Sequence, residues 1–160
     1  MRNYLMMIGV FAIMCFTGCA NLKPQVPQPE PELVFFYEDI RIPMAAEAAP
    51  ILAELGQAKS CTETPSCLFE GMDRTYCYGS FYLTTSPKAQ GEQITGLWFA
   101  DDTVETPEGI SIGDAAGEVL QVYEARSDGD AYTLDQGNTR LQILTEAGIV
   151  TGVRYLAVDG

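Results

Sequence analysis

The chain has 160 residues, a formal net charge of −13 and no histidine, and 47% of its residues are hydrophobic. The hydrophobic content excludes disorder over most of the length, and the length suits a single domain with its own core. The negative charge argues against a nucleic-acid partner. The missing histidine removes the commonest general base and metal ligand, and with them the easiest enzyme mechanisms. We expect no enzyme activity, metal or cofactor.

The N-terminal segment has the features of a bacterial lipoprotein signal peptide. Arg2 supplies a positive charge, an uncharged apolar run extends from Tyr4 to Phe16, and Thr17-Gly18-Cys19-Ala20 follows it. Small residues before a cysteine at the end of such a run resemble the lipobox of these proteins. The resemblance implies that residues 1–18 are removed and that Cys19 is acylated, which anchors the chain in the lipid of a cell membrane or outer membrane. We therefore predict an extracytoplasmic location.

Two other interpretations of this segment remain. A short transmembrane helix is one, although the run is at or below the roughly 20 apolar residues that a span requires. A leader that is cleaved without lipidation is the other. Residues 19–32 carry prolines at 24, 27, 29 and 31, and their fixed φ angles predict an extended tether. The folded domain is then residues 33–160.

This domain contains an internal duplication. Glu38–Ile42 is echoed by Glu108–Ile112, and Ile94–Phe99 is matched by Val150–Tyr155. Several matches in the same order along the chain are difficult to attribute to chance. We therefore predict two repeats, the first over residues 33–105 and the second over 106–160.

Each repeat contains a short helix. Apolar residues recur at helical spacing in both copies, namely Ile51, Leu52 and Leu55 in the first and Val119, Leu120 and Tyr123 in the second. Asp114 is predicted as the N-cap of the second helix, and Gly56 as the C-cap of the first. Each repeat thus reads as a strand, a helix and three strands. The sequence predicts an α+β domain, with an antiparallel sheet of about eight strands and two helices on one face.

One stretch resembles a known family. Ile112-Gly113-Asp114, followed by Glu118-Val119-Leu120 and Tyr123, resembles the opening of the small outer-membrane-assembly lipoproteins, and two such units in tandem resemble the β-lactamase-inhibitory-protein fold. The Thr-Pro-Glu-Gly-Ile segment at 106–110 is also similar to a segment of bacterial lipoproteins. The resemblance implies a role in binding other envelope proteins, without specifying a partner.

Three cysteines follow the tether: Cys61, Cys67 and Cys77. The short stretch between Cys61 and Cys67 could bring these two together, and a location outside the reducing cytoplasm permits a disulfide. We predict this bridge, with a Cys67–Cys77 bridge or free thiols as alternatives. The spacings match no zinc-binding pattern. Acidic residues at 101, 102 and 105, and at 128 and 130, are interpreted as solvated turn residues and not as a calcium or hydrolase site.

Strand alternation predicts a partner-binding face. Arg154 lies between Val153 and Tyr155, and since arginine is rarely buried, its neighbours should point into the core. Trp98 matches Arg154 in the duplication and should point outward, as should Tyr82 in the next strand. Outward Trp, Tyr and Arg side chains are typical of interface hot spots. The alternatives are that Trp98 and Tyr82 only pair with each other, or that a bulge reverses the alternation.

The preferred hypothesis is a membrane-anchored, non-enzymatic protein-interaction module of the cell envelope that binds through the helix-free face of its sheet. The alternative is an envelope carbohydrate-binding or hydrolytic domain that uses carboxylates and exposed aromatics, and a structural spacer is a third possibility. The sequence contains no Ser/His/Asp set, no Cys/His pair and no phosphate-binding loop, which favours the interaction module.

Overall fold

The computed structural model describes residues 33–67, 69–89 and 91–158. The predicted leader, the lipid anchor at Cys19 and the tether lie outside the described residues. Ten strands and two helices are present in the described chain. In order they are β1 Phe35–Tyr37, β2 Ile40–Ile42, α1 Ala48–Leu55, β3 Ser60–Pro65, β4 Met72–Cys77, β5 Phe81–Lys88, β6 Gly91–Phe99, α2 Ala116–Val122, β7 Arg126–Asp128, β8 Ala131–Gln136, β9 Thr139–Glu146 and β10 Ile149–Ala157.

Eight of the strands form one antiparallel sheet, in the order β3-β4-β5-β6-β10-β9-β8-β7. The other two strands, β1 and β2, form a separate hairpin. Short turns join the strands, and Ala147 and Gly148 illustrate how: both have positive φ, 51° and 82°, as a tight type I′ turn requires. The hairpin and both helices contribute to the same buried core as one face of the large sheet. Among the described residues, no helix lies on the opposite face of the large sheet.

The predicted α+β class is wrong, because the described chain is mostly β. The two helices have only eight and seven residues, and each is followed by four strands instead of three. The extra strands are the sheet edges β3 and β7. All their residues are exposed, so neither strand shows the apolar alternation from which a strand is predicted.

The predicted first strand of the second repeat is also absent. Pro107 and Glu108 form a turn, in which the Gly109 amide donates to the Thr106 carbonyl oxygen at 2.8 Å. In the first repeat Glu38, with φ of 53°, lies in the turn between β1 and β2, so the predicted strand there begins two residues later.

The two helix–four-strand halves are related by an approximate two-fold axis between β6 and β10. Trp98 and Arg154, which match each other in the duplication, are direct partners across these strands. Both halves carry a bulge at the same place, where Thr95 and Thr151 are left out of the pairing with the neighbouring strand. The order of strands in the sheet is the same when read from either edge toward this axis.

Equivalent hydrogen bonds next to the two bulges hold the segments that precede the helices. The Ala45 amide donates to the Ile94 carbonyl oxygen at 2.8 Å, and the Gly113 amide donates to the Val150 carbonyl oxygen at 2.8 Å. Because these two bonds are equivalent, Ala45 in the first half corresponds to Gly113 in the second half. Counting back along the chain, Ile42 corresponds to Ile110 and not to Ile112. The sequence match of the first strands was therefore wrong by two residues.

One helix cap was predicted correctly and one was not. Gly56 is the C-cap of α1, with φ of 72° and its amide donating to the Leu52 carbonyl oxygen at 3.1 Å. The N-cap of α2 is Ala115, which forms a β-bridge with Ile149. The Asp114 carboxylate instead accepts from the Ser111 amide at 2.7 Å. Asp114 lies one residue before the N-cap position, so it does not cap the helix.

The core consists of large apolar side chains on the helix side of the sheet. Phe81, Leu83, Leu97, Val153 and Tyr155 are all at most 1% exposed, which agrees with the alternation predicted for these strands. The Phe35 ring of β1 lies at the centre of an aromatic cluster. Its centroid is 5.3 to 6.0 Å from the ring centroids of Phe81, Phe99 and Tyr155. Neither helix of the described chain is long and apolar enough to cross a bilayer.

Candidate functional site

A single row of side chains crosses the whole helix-free face. Each member is the direct cross-strand partner of the next, and the row takes one residue from each of the eight strands. In the six inner strands its neighbours along the strand alternate with it and point into the core. We call it the central row; from β3 to β7 it contains Ser60, Cys77, Tyr82, Trp98, Arg154, Gln142, Thr133 and Arg126.

Tyr82 and Trp98 form an aromatic stack within the central row. Their ring centroids are 5.4 Å apart and the planes are inclined by 21°. Both side chains are half-buried, because each covers one face of the other. The alternative that they pair with each other is therefore correct. The indole of Trp98 is nevertheless partly exposed, because Tyr82 covers only one of its faces.

The other side of Trp98 opens onto a shallow depression. Trp98, Arg154 and Leu156 line it, and its volume is about 310 Å³. Leu156 is placed there because it pairs with Gly96, two residues before Trp98 on the same strand. Gly96 has no side chain, and Leu156 lies 3.5 Å from where its Cβ would be. The result is an apolar recess beside an indole.

Arg154 supplies a positive charge at the rim of this recess. It is exposed, and it makes no hydrogen bond or ion pair within residues 33–67, 69–89 and 91–158. Its partners in the row, Trp98 and Gln142, are uncharged. In a chain with a net charge of −13, this arginine has no ion-pair partner among the described residues and can bind an external anion.

The neighbouring arginine of this face is satisfied. Arg140 donates from Nε and Nη2 to the two carboxylate oxygens of Asp135, at 2.6 and 3.0 Å. These hydrogen bonds hold the pKa of the Asp135 carboxyl below its ordinary value, with a smaller effect from the charge of Arg126. Asp135 is thus engaged by Arg140, whereas the Arg154 guanidinium has no carboxylate partner among the described residues and can bind an external anion.

The two halves differ along the central row, although their backbones correspond. Trp98 corresponds to Arg154, and Tyr82 corresponds to Gln142, because each pair holds the same register position about the axis. The first half presents aromatic rings and the second half presents amide and guanidinium groups. The face is therefore divided into an aromatic side and a polar, cationic side that meet at the axis.

The structure brings the three predicted partner-binding residues together. Tyr82, Trp98 and Arg154 are consecutive in the central row. Sequence reasoning did not identify Leu156 and Gln142. The same alternation that places Arg154 outward also places Leu156 outward, two residues later, so the signal was present; Gln142 required the pairing of β9 with β10, which the sequence does not specify.

The predicted Cys61–Cys67 disulfide has no support in the structure. Cys61, Cys67 and Cys77 are free thiols, the first two exposed and the third half-buried. Cys61 is near the start of β3, and Cys67 follows the end of that strand at Pro65. Four residues of extended strand span about 13 Å, whereas a disulfide needs Cα atoms within about 7 Å. Cys77 belongs to the central row and lies beside Tyr82.

The acidic turns contain ordinary local hydrogen bonds. Asp101 accepts from the Thr103 amide at 3.0 Å and from the Thr103 hydroxyl, and the hydroxyl bond is the main cause of the lowered pKa of Asp101. Throughout the part of the chain that the structure describes, no group of three potential metal ligands is close enough to hold an ion.

A charged cluster on the helix side of the sheet belongs to the first half. Arg74 donates from Nε to Glu63 at 2.7 Å and from Nη1 to Glu92 at 2.8 Å. Glu92 also accepts from the buried Thr85 hydroxyl. The two glutamates raise the pKa of Arg74, and the hydrogen bond to Glu63 is the largest cause. The single charge of Arg74 is shared between two carboxylates, and the arrangement is that of a structural ion-pair network.

A second polar cluster lies in the core of the other half. Tyr123 donates its hydroxyl hydrogen to Glu108, and burial together with this carboxylate raises the pKa of Tyr123. Burial also raises the pKa of Tyr155, whose hydroxyl lies near Tyr123 but has no hydrogen bond of normal geometry within the described chain. Tyr123 and Tyr155 both belong to the buried core, so we assign the cluster a structural role.

Comparison with known proteins adds little. No protein-family model and no curated protein matches the sequence. A match among solved structures is the 1.5 Å crystal structure of an extracellular protein containing a SCP domain, from Bacillus anthracis strain Ames. The TM-score is 0.43, with 13% identity over 71% of this chain and 44% of that chain. This chain thus spans less than half of that protein, and a likeness at this level establishes neither a family nor a function.

Proposed function

We propose that the chain is a lipid-anchored, non-enzymatic protein-interaction module of the cell envelope, and that it binds its partner through the central row. The anchor would be the acylated Cys19, and the location would be outside the cytoplasm. The proposal rests on the lipobox-like sequence, which is specific in its residue types, and on the chemistry of the helix-free face.

One observation carries the interaction role. Tyr82, Trp98 and Arg154 are consecutive across three paired strands, on a face that neither helix of the described residues covers. Tryptophan, tyrosine and arginine are the three residue types most enriched at interface hot spots. On a face that contacted only water, polar side chains would occupy these positions, and a large apolar indole would not be needed. The resemblance to envelope lipoproteins that bind other proteins points in the same direction.

The anchor and the binding face are tested separately. Cells expressing the wild type or Cys19→Ser are grown with radiolabelled palmitate, and label is expected only in the wild type. An unlabelled wild type would contradict the anchor and leave the binding face unaffected.

The binding face is tested by crosslinking in intact cells. A photoreactive amino acid at Gln142, in the central row, is expected to give one dominant protein adduct. The Tyr82→Ala and Trp98→Ala variants should lose this adduct while their circular dichroism stays that of the wild type. The control is Phe36, which is 47% exposed on the β1–β2 hairpin; a photoreactive residue there should not give the adduct, and Phe36→Ala should keep it. An adduct that persists in Trp98→Ala discards the proposal.

A further inference from the structure

The recess beside Trp98 has the dimensions of a site for one side chain. Its volume of about 310 Å³ is at the lower limit for pockets that enclose whole small ligands. It is open on one side to solvent, and its two apolar walls are the uncovered side of the Trp98 indole and the Leu156 side chain. An aromatic or branched aliphatic side chain that entered it would contact both walls and remain attached to a larger molecule outside.

The rim of the recess adds a charge requirement. Arg154 is the third residue that lines it, and its guanidinium has no carboxylate partner in the described chain. A guanidinium presents paired donors that match a carboxylate, and such charge-assisted bonds are about twice as strong as neutral ones. The adjacent Gln142 side chain adds a neutral amide donor on the same side.

From these walls and this rim we infer the chemistry of the occupant. It is a segment of the partner protein that inserts an apolar side chain between Trp98 and Leu156 and places a neighbouring carboxylate on Arg154. The inference rests on the proposed function and extends it from a face to a recognition rule. The chain carries a net charge of −13, so it repels acidic molecules at a distance; the attraction to the carboxylate is therefore local and depends on Arg154.

The recognition rule predicts which peptides bind. A random-peptide phage library is panned against the full lipoprotein in detergent micelles. The enriched peptides are expected to combine an aromatic or aliphatic residue with an adjacent Asp, Glu or free C-terminus. The Arg154→Glu variant should lose these peptides and enrich basic ones. Enrichment of peptides without an acidic preference by the wild type would overturn the inference.

A direct readout is available because Trp98 is the single tryptophan of the chain. Binding of an enriched peptide should change the fluorescence of this indole. Arg154→Gln should weaken the affinity by about ten- to a hundredfold, as expected for loss of a charged hydrogen bond, and Arg154→Lys should restore part of it. Arg140→Gln is the matched control, because that arginine is occupied by Asp135, and it should change the affinity less than threefold.

The outcome separates the two proposals. If the cellular adduct is lost in Trp98→Ala but kept in Arg154→Glu, the binding face stands and the carboxylate rule fails. If both variants keep the adduct, the binding face fails as well. Loss of the adduct in both variants, together with the acidic preference in panning, supports both.

Discussion

Thr84 and Gly96 face each other across β5 and β6, and the Thr84 hydroxyl donates to the Gly96 carbonyl oxygen at 3.0 Å. A Cβ at Gly96 would lie 2.8 Å from the Thr84 Oγ1 atom, closer than such atoms approach. At the equivalent glycine of the second half, Gly152, the nearest atom to a Cβ would belong to Leu144, at 3.5 Å, which is ordinary contact. A side chain at this backbone position therefore clashes in the first half and fits in the second half.

Gly96→Ala is expected to destabilise the domain by about 1–3 kcal/mol, as overpacking does. Gly152→Ala should stay within about 1 kcal/mol of the wild type. Urea denaturation of the full chain measures both. The double variant Thr84→Ala with Gly96→Ala should recover most of the loss, because the hydroxyl that causes the clash is gone. Equal losses at the two glycines would show that the close approach to Thr84 is not the cause.

Leu97→Ala and Trp98→Ala change adjacent residues that face opposite sides of the sheet. Leu97 is fully buried, and its truncation should cost about 2–5 kcal/mol. Trp98 is only half-buried, so its truncation loses the stack on Tyr82 and part of the burial of the indole, and should cost less than that of Leu97, about 1–2 kcal/mol. Thermal unfolding followed by circular dichroism compares the two. A larger loss in Trp98→Ala would place the indole in the core and remove the basis of the binding face.

Alkaline pH should destabilise the second half through its buried tyrosines. Burial raises the pKa of Tyr123 and of Tyr155, so the folded state favours their protonated forms. Their contribution is present below the ordinary tyrosine pKa of about 10 and is lost as the pH rises above it. Tyr155→Phe should therefore move the alkaline unfolding midpoint upward, without loss of stability at neutral pH, because its hydroxyl has no partner in the described chain.

The control for this titration is the wild type, unfolded in parallel over the same pH range. Tyrosinate absorbance near the transition provides the readout in each variant. A midpoint that is the same in the wild type and in Tyr155→Phe would mean that another group controls alkaline unfolding.

The three cysteines should react at different rates with a thiol reagent in the native chain. Cys61 and Cys67 are exposed and should be labelled rapidly. Cys77 is half-buried and should be slower. Because Cys77 lies beside Tyr82 in the central row, a bound peptide should slow its labelling further and leave the other two unchanged. Protection of Cys61 instead would move the binding surface to the helix side or to the β3 edge.

The sequence predicted the sides of the central strands because those strands alternate regularly. Leu83 and Leu97 are buried and Trp98 is not, which follows from the two-residue period alone. The bulges at Thr95 and Thr151 do not disturb this result, since they precede the site within their strands. The candidate site could be predicted because it lies in the best-patterned part of the chain.

The rest of the fold depends on contacts that are distant in sequence. The six residues of β3 include Thr62, Glu63 and Thr64 and carry no apolar pattern, yet they form a strand because β4 offers them a partner edge. Ala115 begins α2 because it bridges to Ile149, on a strand 34 residues later. No local rule predicts such pairings, and for this reason the edge strands and the N-cap of α2 were missed.

The two-fold axis between β6 and β10 has a consequence for how the face could arise. If the two halves were separate copies of one chain meeting at this seam, the residues on the axis would have to be identical, because one codon would specify both. In a single chain two codons specify them, and Trp98 can stand opposite Arg154. Fusion of the halves into one gene is what permits an aromatic and a cationic residue to adjoin at the centre of an otherwise repeated sheet.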